Sequence, residues 1–450
     1  MNDIISPEVV LSIVVLSLVL YEMYGSALKV SVGLLFIVGV GLFPLGLSKS
    51  WMVASKLLII TGSASILLMG GVPTRRYLSL DPSPPRTGWV ILILIVTLSS
   101  LLLVSSVNWL SIYLALELQT LTLFVLAALK RDSAYSTEAG LKYFVLGAVS
   151  SGLFLFGCAL LYGLTGETSI QGINCMFSGD VGKILITVSL LFKLSAAPFH
   201  MWAPDVYEGA PTTTTALIAT LPKVAVFSIL VQIGPVTNMV LVCAVLSITY
   251  GAIGALNQTR IKRLLAYSGI SHMGFILLGV AIGTFESIQA SLIYMVIYVI
   301  MSICSFSIIL SVAPRGGLIV EFSGISRENP GIAAALALVF LSTAGVPPLA
   351  GFLSKWLILL SGISSGYYLI CIIAVTSSVV AGVYYVRLVQ TIYFQIGWSS
   401  LIWQRVLNKR SKVDLNRSIL IGITFYTIIF LMACPKILLQ ITHDATISLY

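Results

Sequence analysis

The chain has 450 residues, of which 58% are hydrophobic and only 9% are charged. A soluble domain could not cover its surface with so few polar side chains, so this composition predicts an integral membrane protein. The net charge of +9 would also suit a nucleic-acid-binding protein, but the basic residues lie between apolar segments, where they are expected to set membrane orientation.

Apolar segments of about 20 residues recur along the chain with short connections between them, which predicts an all-α integral membrane bundle rather than a barrel of alternating strands. The first segment is expected to be a retained helix, because it lacks the positive region and the small-residue cleavage site of a signal peptide. We predict fourteen transmembrane spans, near residues 7–24, 30–47, 52–72, 88–107, 109–129, 139–164, 181–201, 214–233, 237–256, 264–283, 287–312, 331–361, 366–395 and 418–440.

The lysine and arginine residues test this number of spans independently. The odd-numbered connections contain most of these basic residues. The even-numbered connections contain few of them, with Lys49 as the clearest exception. The positive-inside rule therefore places the odd connections on the matrix or cytoplasmic side and both termini on the opposite side. The basic residues of the odd connections are Lys29, Arg75, Arg76, Arg86, Lys130, Arg131, Arg260, Lys262, Arg263, Arg315, Arg327, Arg405, Lys409, Arg410, Lys412 and Arg417.

Two spans contain proline in an otherwise apolar run. Pro198 lies in the span 181–201, and Pro347 and Pro348 lie in the span 331–361. Proline gives no backbone donor and clashes with the preceding turn, so each span is predicted to form two half-helices joined by an unwound peptide. An ordinary proline kink would explain either span alone.

The two interrupted spans lie five spans apart, and elements an odd number of spans apart cross the membrane in opposite directions. Paired interrupted helices of this kind indicate an inverted repeat with a transport site near the midplane. We therefore expect a three-helix N-terminal segment at 1–87, a first repeat of helices 4–8 at 88–233, a second of helices 9–13 at 237–396, and a basic loop with helix 14 at 397–450.

Four ionisable residues lie far from any predicted span end, namely Glu117, Lys193, Lys223 and Lys355. A charge at mid-bilayer depth costs about 2.5–3.5 kcal/mol on insertion scales, so these residues are expected to face the bundle interior or water. A single buried lysine can snorkel or bond a carbonyl, but four such residues on repeat-related helices favour proton transfer. Desolvation disfavours the ammonium and a nearby carboxylate favours it, so a lysine between the two can load and release a proton.

Three further residues are weaker candidates for a proton relay. Lys142 lies nearer a span end, where snorkelling is the favoured explanation. Asp205 is expected to shape the connection after the seventh span, together with Glu208. His272 in "AYSGISHMGF" could pass protons, yet a hydrogen-bonded core histidine would have the same sequence signature.

Cysteine and histidine spacing predicts no redox or metal centre in this chain. The three histidines form no cluster, and no nucleotide-binding loop is present. Six cysteines lie far apart and form no C-x-x-C pair, which argues against iron–sulfur, zinc and haem sites. These residues are Cys158, Cys175, Cys243, Cys304, Cys371 and Cys434.

Several segments between residues 90 and 395 resemble the subunit 2 family of respiratory complex I, the NADH:quinone oxidoreductase, in its fourteen-helix form. They are "YLALELQTLTLFVLAALKR", "KYFVLGAVSSGLFLFGCALLYGLTG", "FKLSAAPFHMWAPDVYEGAPT", "IKRLLAYSGISHMGF" and "STAGVPPLAGFLSKW". The resemblance implies an antiporter-like fold with two inverted five-helix repeats. It also implies proton translocation, with Glu117 as the acid of the first half-channel, Lys193 as its partner, Lys223 as the central relay and Lys355 as the terminal lysine.

The resemblance further implies that this chain is one subunit of an enzyme complex and holds no cofactor itself. NADH, FMN, iron–sulfur clusters and quinone would be bound by other subunits. Expected partners are the other membrane subunits, including neighbouring antiporter-like subunits, and membrane lipids, with no nucleic acid. The expected location is the mitochondrial inner membrane, with a bacterial plasma membrane as the alternative.

Two other functions fit the same sequence features. A subunit of a multi-subunit cation/proton antiporter would share the buried lysines and the interrupted helices. A membrane scaffold could have kept these residues without pumping. The basic run 405–417 matches no motif, and a contact with a partner subunit is one interpretation of it.

Overall fold

The structure is a computed structural model that describes residues 8–13, 15, 51–70, 86–170, 181–312, 317–395 and 414–449. Nearly all of these residues are helical, which confirms the predicted all-α membrane fold, and within them ten helices are long and apolar enough to cross a membrane. The total of fourteen spans stays a prediction. The predicted span at 30–47, most of the one at 7–24, and most of the basic run 405–417 lie outside the described residues.

The described helices begin and end close to the predicted span boundaries. Glycines with a left-handed backbone end several of them, for example Gly166 at φ 70° and Gly283 at φ 72°. Glycine adopts this conformation without a steric penalty and commonly ends helices. In chain order the helices are α1 Trp51–Gly70, α2 Arg86–Ser105, α3 Trp109–Ala127, α4 Ala134–Thr165, α5 Val181–Lys193, α6 Trp202–Gly209, α7 Thr212–Ile233, α8 Thr237–Ala255, α9 Ile261–Ile282, α10 Phe285–Val312, α11 Ile325–Glu328, α12 Pro330–Ala344, α13 Ala350–Ser364, α14 Tyr368–Tyr393, α15 Leu415–Ala433 and α16 Lys436–Ile447.

The first compact unit contains α1 to α5 and α7. Helix α4 packs against α3 and α5, and α7 packs against α1 and α2. A Cβ atom at Gly157 of α4 would lie 2.9 Å from the carbonyl oxygen of Gly182 in α5. Such small residues let helices approach closely in a membrane, where packing replaces the hydrophobic driving force. Every residue of α7 from Thr214 to Leu230 is buried.

The second compact unit contains α6, most of α8, and α9 to α15. Helix α10 packs against α9, α13 and α15, and α12 packs against α14. Glycine again permits close approach of helices, because a Cβ atom at Gly251 of α8 would lie 2.6 Å from the backbone nitrogen of Ser271 in α9. The result is that α9 is buried along most of its length.

Both predicted helix interruptions are confirmed. Helix α5 ends at Lys193, and the chain then turns, with Ser195 in a left-handed conformation at φ 58°. The short helix α6 follows, so Asp205 and Glu208 lie in a helix rather than in the loop expected from the sequence. Pro204 permits this because it occupies the first turn, where its missing N–H costs no hydrogen bond.

The second interruption separates α12 from α13. Helix α12 ends at Ala344, and Gly345 takes φ 89°, a conformation that favours glycine. Helix α13 begins at Ala350 after a five-residue connection, Gly345 to Leu349, that contains both prolines. The break leaves backbone carbonyl groups at the end of α12 without helical donors.

The predicted last span, 418–440, is wrong in its extent. The structure has α15 ending at Ala433 and a separate helix, α16, beginning at Lys436. Pro435 explains the division, because a proline cannot donate to the carbonyl four residues earlier and restricts the residue before it.

The continuous helix α4 gives a direct test of membrane orientation. The connection before it is basic and the one after it is not, so Asp132→Cys should react with an impermeant thiol reagent only from the matrix or cytoplasmic face, and Glu167→Cys only from the other face. Both positions are exposed. Labelling is compared with the unsubstituted chain, and reaction of both cysteines from one face would contradict a membrane-spanning α4.

Candidate functional site

In the first unit, Glu117 and Lys193 interact electrostatically without a hydrogen bond between them. Glu117 lies in the middle of α3 and Lys193 is the last residue of α5; both helices pack against α4. Only 9% of Lys193 is exposed, and Glu117 is the carboxylate that stabilises its ammonium electrostatically. Lys193 Nζ and Glu117 Oε1 are buried, and neither has a hydrogen-bond partner in the described part of the chain.

Lys223 is the most deeply buried of the predicted site residues. It is 1% exposed and lies inside α7, a helix that is buried on all sides. Pro222 precedes it within the same continuous helix. A proline at this position has no N–H to give to the carbonyl of Ile218, four residues earlier, so backbone bonding is altered next to the lysine.

In the second unit, Lys355 is held by the interrupted helix. Its Nζ donates a hydrogen bond of 2.7 Å to the carbonyl oxygen of Ala344, the last residue of α12. The same Nζ lies 5.6 Å from the ring centroid of Phe275, a cation–π geometry. The helix break therefore supplies the acceptor that a buried ammonium needs.

His272 lies in the same small cavity as Lys355, so the structure brings these two predicted residues together. His272 Nδ1 is 2.8 Å from the hydroxyl of Tyr294, and Nε2 is 3.4 Å from the hydroxyl of Tyr385. Thr343 and Tyr384 also line the cavity. The surroundings of Lys355 therefore include both polar and aromatic side chains.

The two other candidate relays lie among charged partners near helix ends. Lys142 is largely exposed on α4, where its Nζ lies 2.7 Å from the carboxylate of Glu138. Asp205 on α6 pairs with Arg263 at 3.4 Å. Glu208 pairs with the same arginine at 3.2 Å and also with Arg260, so α6 is joined to the start of α9 by ion pairs.

Sequence reasoning missed several residues that shape the site. Pro222 was visible as a proline beside a buried lysine and could have been used. The tyrosines around His272 gave no signal, because Tyr294 and Tyr385 belong to helices distant in sequence. For metal binding, the described ranges contain no group of three or more histidine, cysteine, aspartate or glutamate residues that could hold an ion.

Comparison with known proteins places this geometry in context. The family model described as NADH:quinone oxidoreductase/Mrp antiporter, TM, matches residues 106–381. The NADH-ubiquinone oxidoreductase chain 2 of Metridium senile is 59% identical over 384 residues, which are 82% of this chain and all of that protein. The NADH-quinone oxidoreductase subunit N of Rhodospirillum rubrum is 40% identical over 76% of this chain and 73% of its own length.

A solved structure is similar over nearly the whole chain. It is a chain of respiratory complex I from Thermus thermophilus with bound aureothin, with a TM-score of 0.83 and 26% identity over 96% of this chain and 98% of that one.

Gly345 offers a test of how the helix break holds Lys355. A Cβ atom there would lie 3.0 Å from Lys355 Cδ, and a residue other than glycine in this left-handed conformation costs about 1–2 kcal/mol. We expect Gly345→Ala to lower the melting temperature of the purified protein by several degrees. Gly382→Ala is the matched control, because open space surrounds Gly382 in α14. Equal melting temperatures for the two variants would contradict this description of the break.

Proposed function

This chain belongs to the NADH:quinone oxidoreductase/Mrp antiporter family of membrane proteins, and from that membership we propose that it is a proton-translocating membrane subunit of respiratory complex I. The observation that carries the proposal is the buried Lys193 at the end of an interrupted helix, within electrostatic reach of Glu117 on α3. Buried charges of this kind are costly, and in membrane proteins they mark proton or ion pathways. The relatives named chain 2 and subunit N support the same function.

The proposed mechanism assigns a separate step to each ionisable residue. Glu117 is the acid of the first half-channel and stabilises the charged form of Lys193. When this carboxylate is neutralised or moves away, the Lys193 ammonium loses the electrostatic stabilisation by Glu117 and releases its proton. Lys223 is the central relay, and Lys355 is the terminal lysine. His272, Lys142 and Asp205 are proposed as auxiliary relays.

The interrupted helices are proposed to give this mechanism its access to water. Residues 88–233 and 237–396 are proposed as two inverted repeats, each with one half-channel. Unwound backbone exposes carbonyl groups that can bind water or an ammonium at a depth where regular helices offer neither. The hydrogen bond from Lys355 to Ala344 supports this part of the proposal.

Quinone reduction in other subunits is proposed to drive the pumping. Those subunits would bind NADH, FMN, the iron–sulfur clusters and quinone, and this chain would contribute no redox centre. Its direct partners are proposed to be the neighbouring antiporter-like subunits and membrane lipids. The chain is a multi-pass membrane protein, and the mitochondrial relative favours the inner mitochondrial membrane over a bacterial plasma membrane.

A cation/proton antiporter subunit is the second candidate, because the matching family description includes Mrp antiporters. Copurification separates the two functions. We expect mass spectrometry of the complex purified through this chain to identify flavin-binding and iron–sulfur subunits. A complex made only of small hydrophobic subunits would contradict the complex I assignment and select the antiporter.

The charged pair provides the main functional test. Lys193→Ala should strongly reduce proton translocation in vesicles, and so should Lys193→Arg, because arginine keeps the charge but does not release its proton at usable pH. Glu117→Gln should also impair translocation. If the two residues act as one unit, Glu117→Gln added to Lys193→Ala should cost little beyond the worse single variant.

Lys183→Arg is the matched control, since Lys183 lies ten residues earlier on the same helix and near its start. Complex assembly is measured in parallel, because removing one member of a buried ion pair can cost about 3–5 kcal/mol of stability. Normal pumping by a fully assembled Lys193→Arg variant would contradict proton release from Lys193 and would favour the scaffold function.

A further inference from the structure

Both ring nitrogens of His272 contact tyrosine hydroxyl groups. Nδ1 lies 2.8 Å from the hydroxyl of Tyr294 on α10, and Nε2 lies 3.4 Å from the hydroxyl of Tyr385 on α14. A neutral imidazole has one donor nitrogen and one acceptor nitrogen. If Nδ1–H donates to Tyr294, then Nε2 is the acceptor and faces the Tyr385 hydroxyl.

The two sides of His272 differ in their surroundings. Tyr294 is fully buried, and its ring is stacked on Phe275 with the planes 10° apart. Tyr385 instead lines the small cavity that Lys355 and Thr343 also line. Only the Nε2 side of the ring therefore has a hydroxyl group that also borders the cavity of the lysine.

We propose that Tyr385 is a relay residue that carries protons between Lys355 and His272. The inference rests on the proposed function, since it supposes that Lys355 takes part in proton translocation. An N–H bond of the Lys355 ammonium breaks, and its proton reaches the Tyr385 oxygen directly or through water in the cavity. The Tyr385 O–H bond breaks as an N–H bond forms at His272 Nε2, which leaves a neutral lysine and an imidazolium.

The distance between Tyr385 and His272 is suited to such a step. The Tyr385–His272 contact of 3.4 Å is a few tenths of an ångström longer than a good hydrogen bond, so a small movement of α14 would make or break it. Proton-transfer contacts are often long in resting structures and shorten in the active state. A relay that closes only transiently also prevents free backflow of protons.

Tyr393 supplies a control for the hydroxyl group. It lies eight residues after Tyr385 on the same helix, is exposed, and lies outside the set of residues that line the cavity. Replacing either tyrosine by phenylalanine removes one hydroxyl oxygen and keeps the ring, so the two variants differ in the contact with His272.

The experiment measures protons translocated per electron by the intact complex in sealed vesicles, with NADH oxidation recorded to verify assembly. We expect Tyr385→Phe to lower the ratio to that of Lys355→Met, and Tyr393→Phe to keep the ratio of the unsubstituted complex. Tyr385→His, whose ring can also accept and donate a proton, should give a ratio above that of Tyr385→Phe, which a purely structural role would not produce.

The outcomes separate this inference from the proposed function. If Tyr385→Phe translocates as many protons per electron as the unsubstituted complex while Lys355→Met translocates fewer, the relay is contradicted but the proposed function is not. Equal losses in the two tyrosine variants, or equal ratios in Tyr385→His and Tyr385→Phe, also overturn it. A full ratio in Lys355→Met overturns the proposed function, and the relay with it.

Discussion

A lysine ammonium at bilayer depth must find an acceptor or a counter-charge inside the protein, because lipid offers neither. Within the described residues, the three buried lysines each lie near a proline that changes helix bonding. Lys193 ends α5 five residues before Pro198, Lys223 follows Pro222, and Lys355 bonds a carbonyl released by the α12 break. For Lys355, the broken helix is thus the structural condition under which the ammonium can be buried with a hydrogen-bond acceptor.

The sequence predicted those parts of the fold that depend on local chemistry. Hydrophobic runs located the described helices to within a few residues, and prolines located both interruptions, because helix bonding needs only neighbours three or four residues away. The errors were also local. Asp205 and Glu208 were expected in the connection after the seventh span, although Pro204 fits the first turn of a helix, and Pro435 was overlooked inside the last predicted span.

The candidate site was predictable only in its charged members. Glu117 and the three lysines are visible because a charge in an apolar run is expensive wherever the chain goes. The environment of His272 was not visible, because it is formed by α9, α10 and α14, whose pairing depends on the tertiary fold. The same is true of Gly345, which looks like an ordinary glycine until its φ angle and its contact with Lys355 are known.

The length of α4 has a consequence for how the chain meets the bilayer surface. A helix of 32 residues is about 48 Å long, whereas the hydrocarbon core is about 30 Å thick. Fitting it entirely within the core would need a tilt of about 50°, beyond the usual limit of about 40°. Hydrophobic mismatch therefore pushes the ends of α4 into the headgroup layer. Glu138 lies in the overhanging part at the start of α4, and Lys142, one turn deeper, extends its side chain back to that carboxylate, so the ion pair is placed at the headgroup layer.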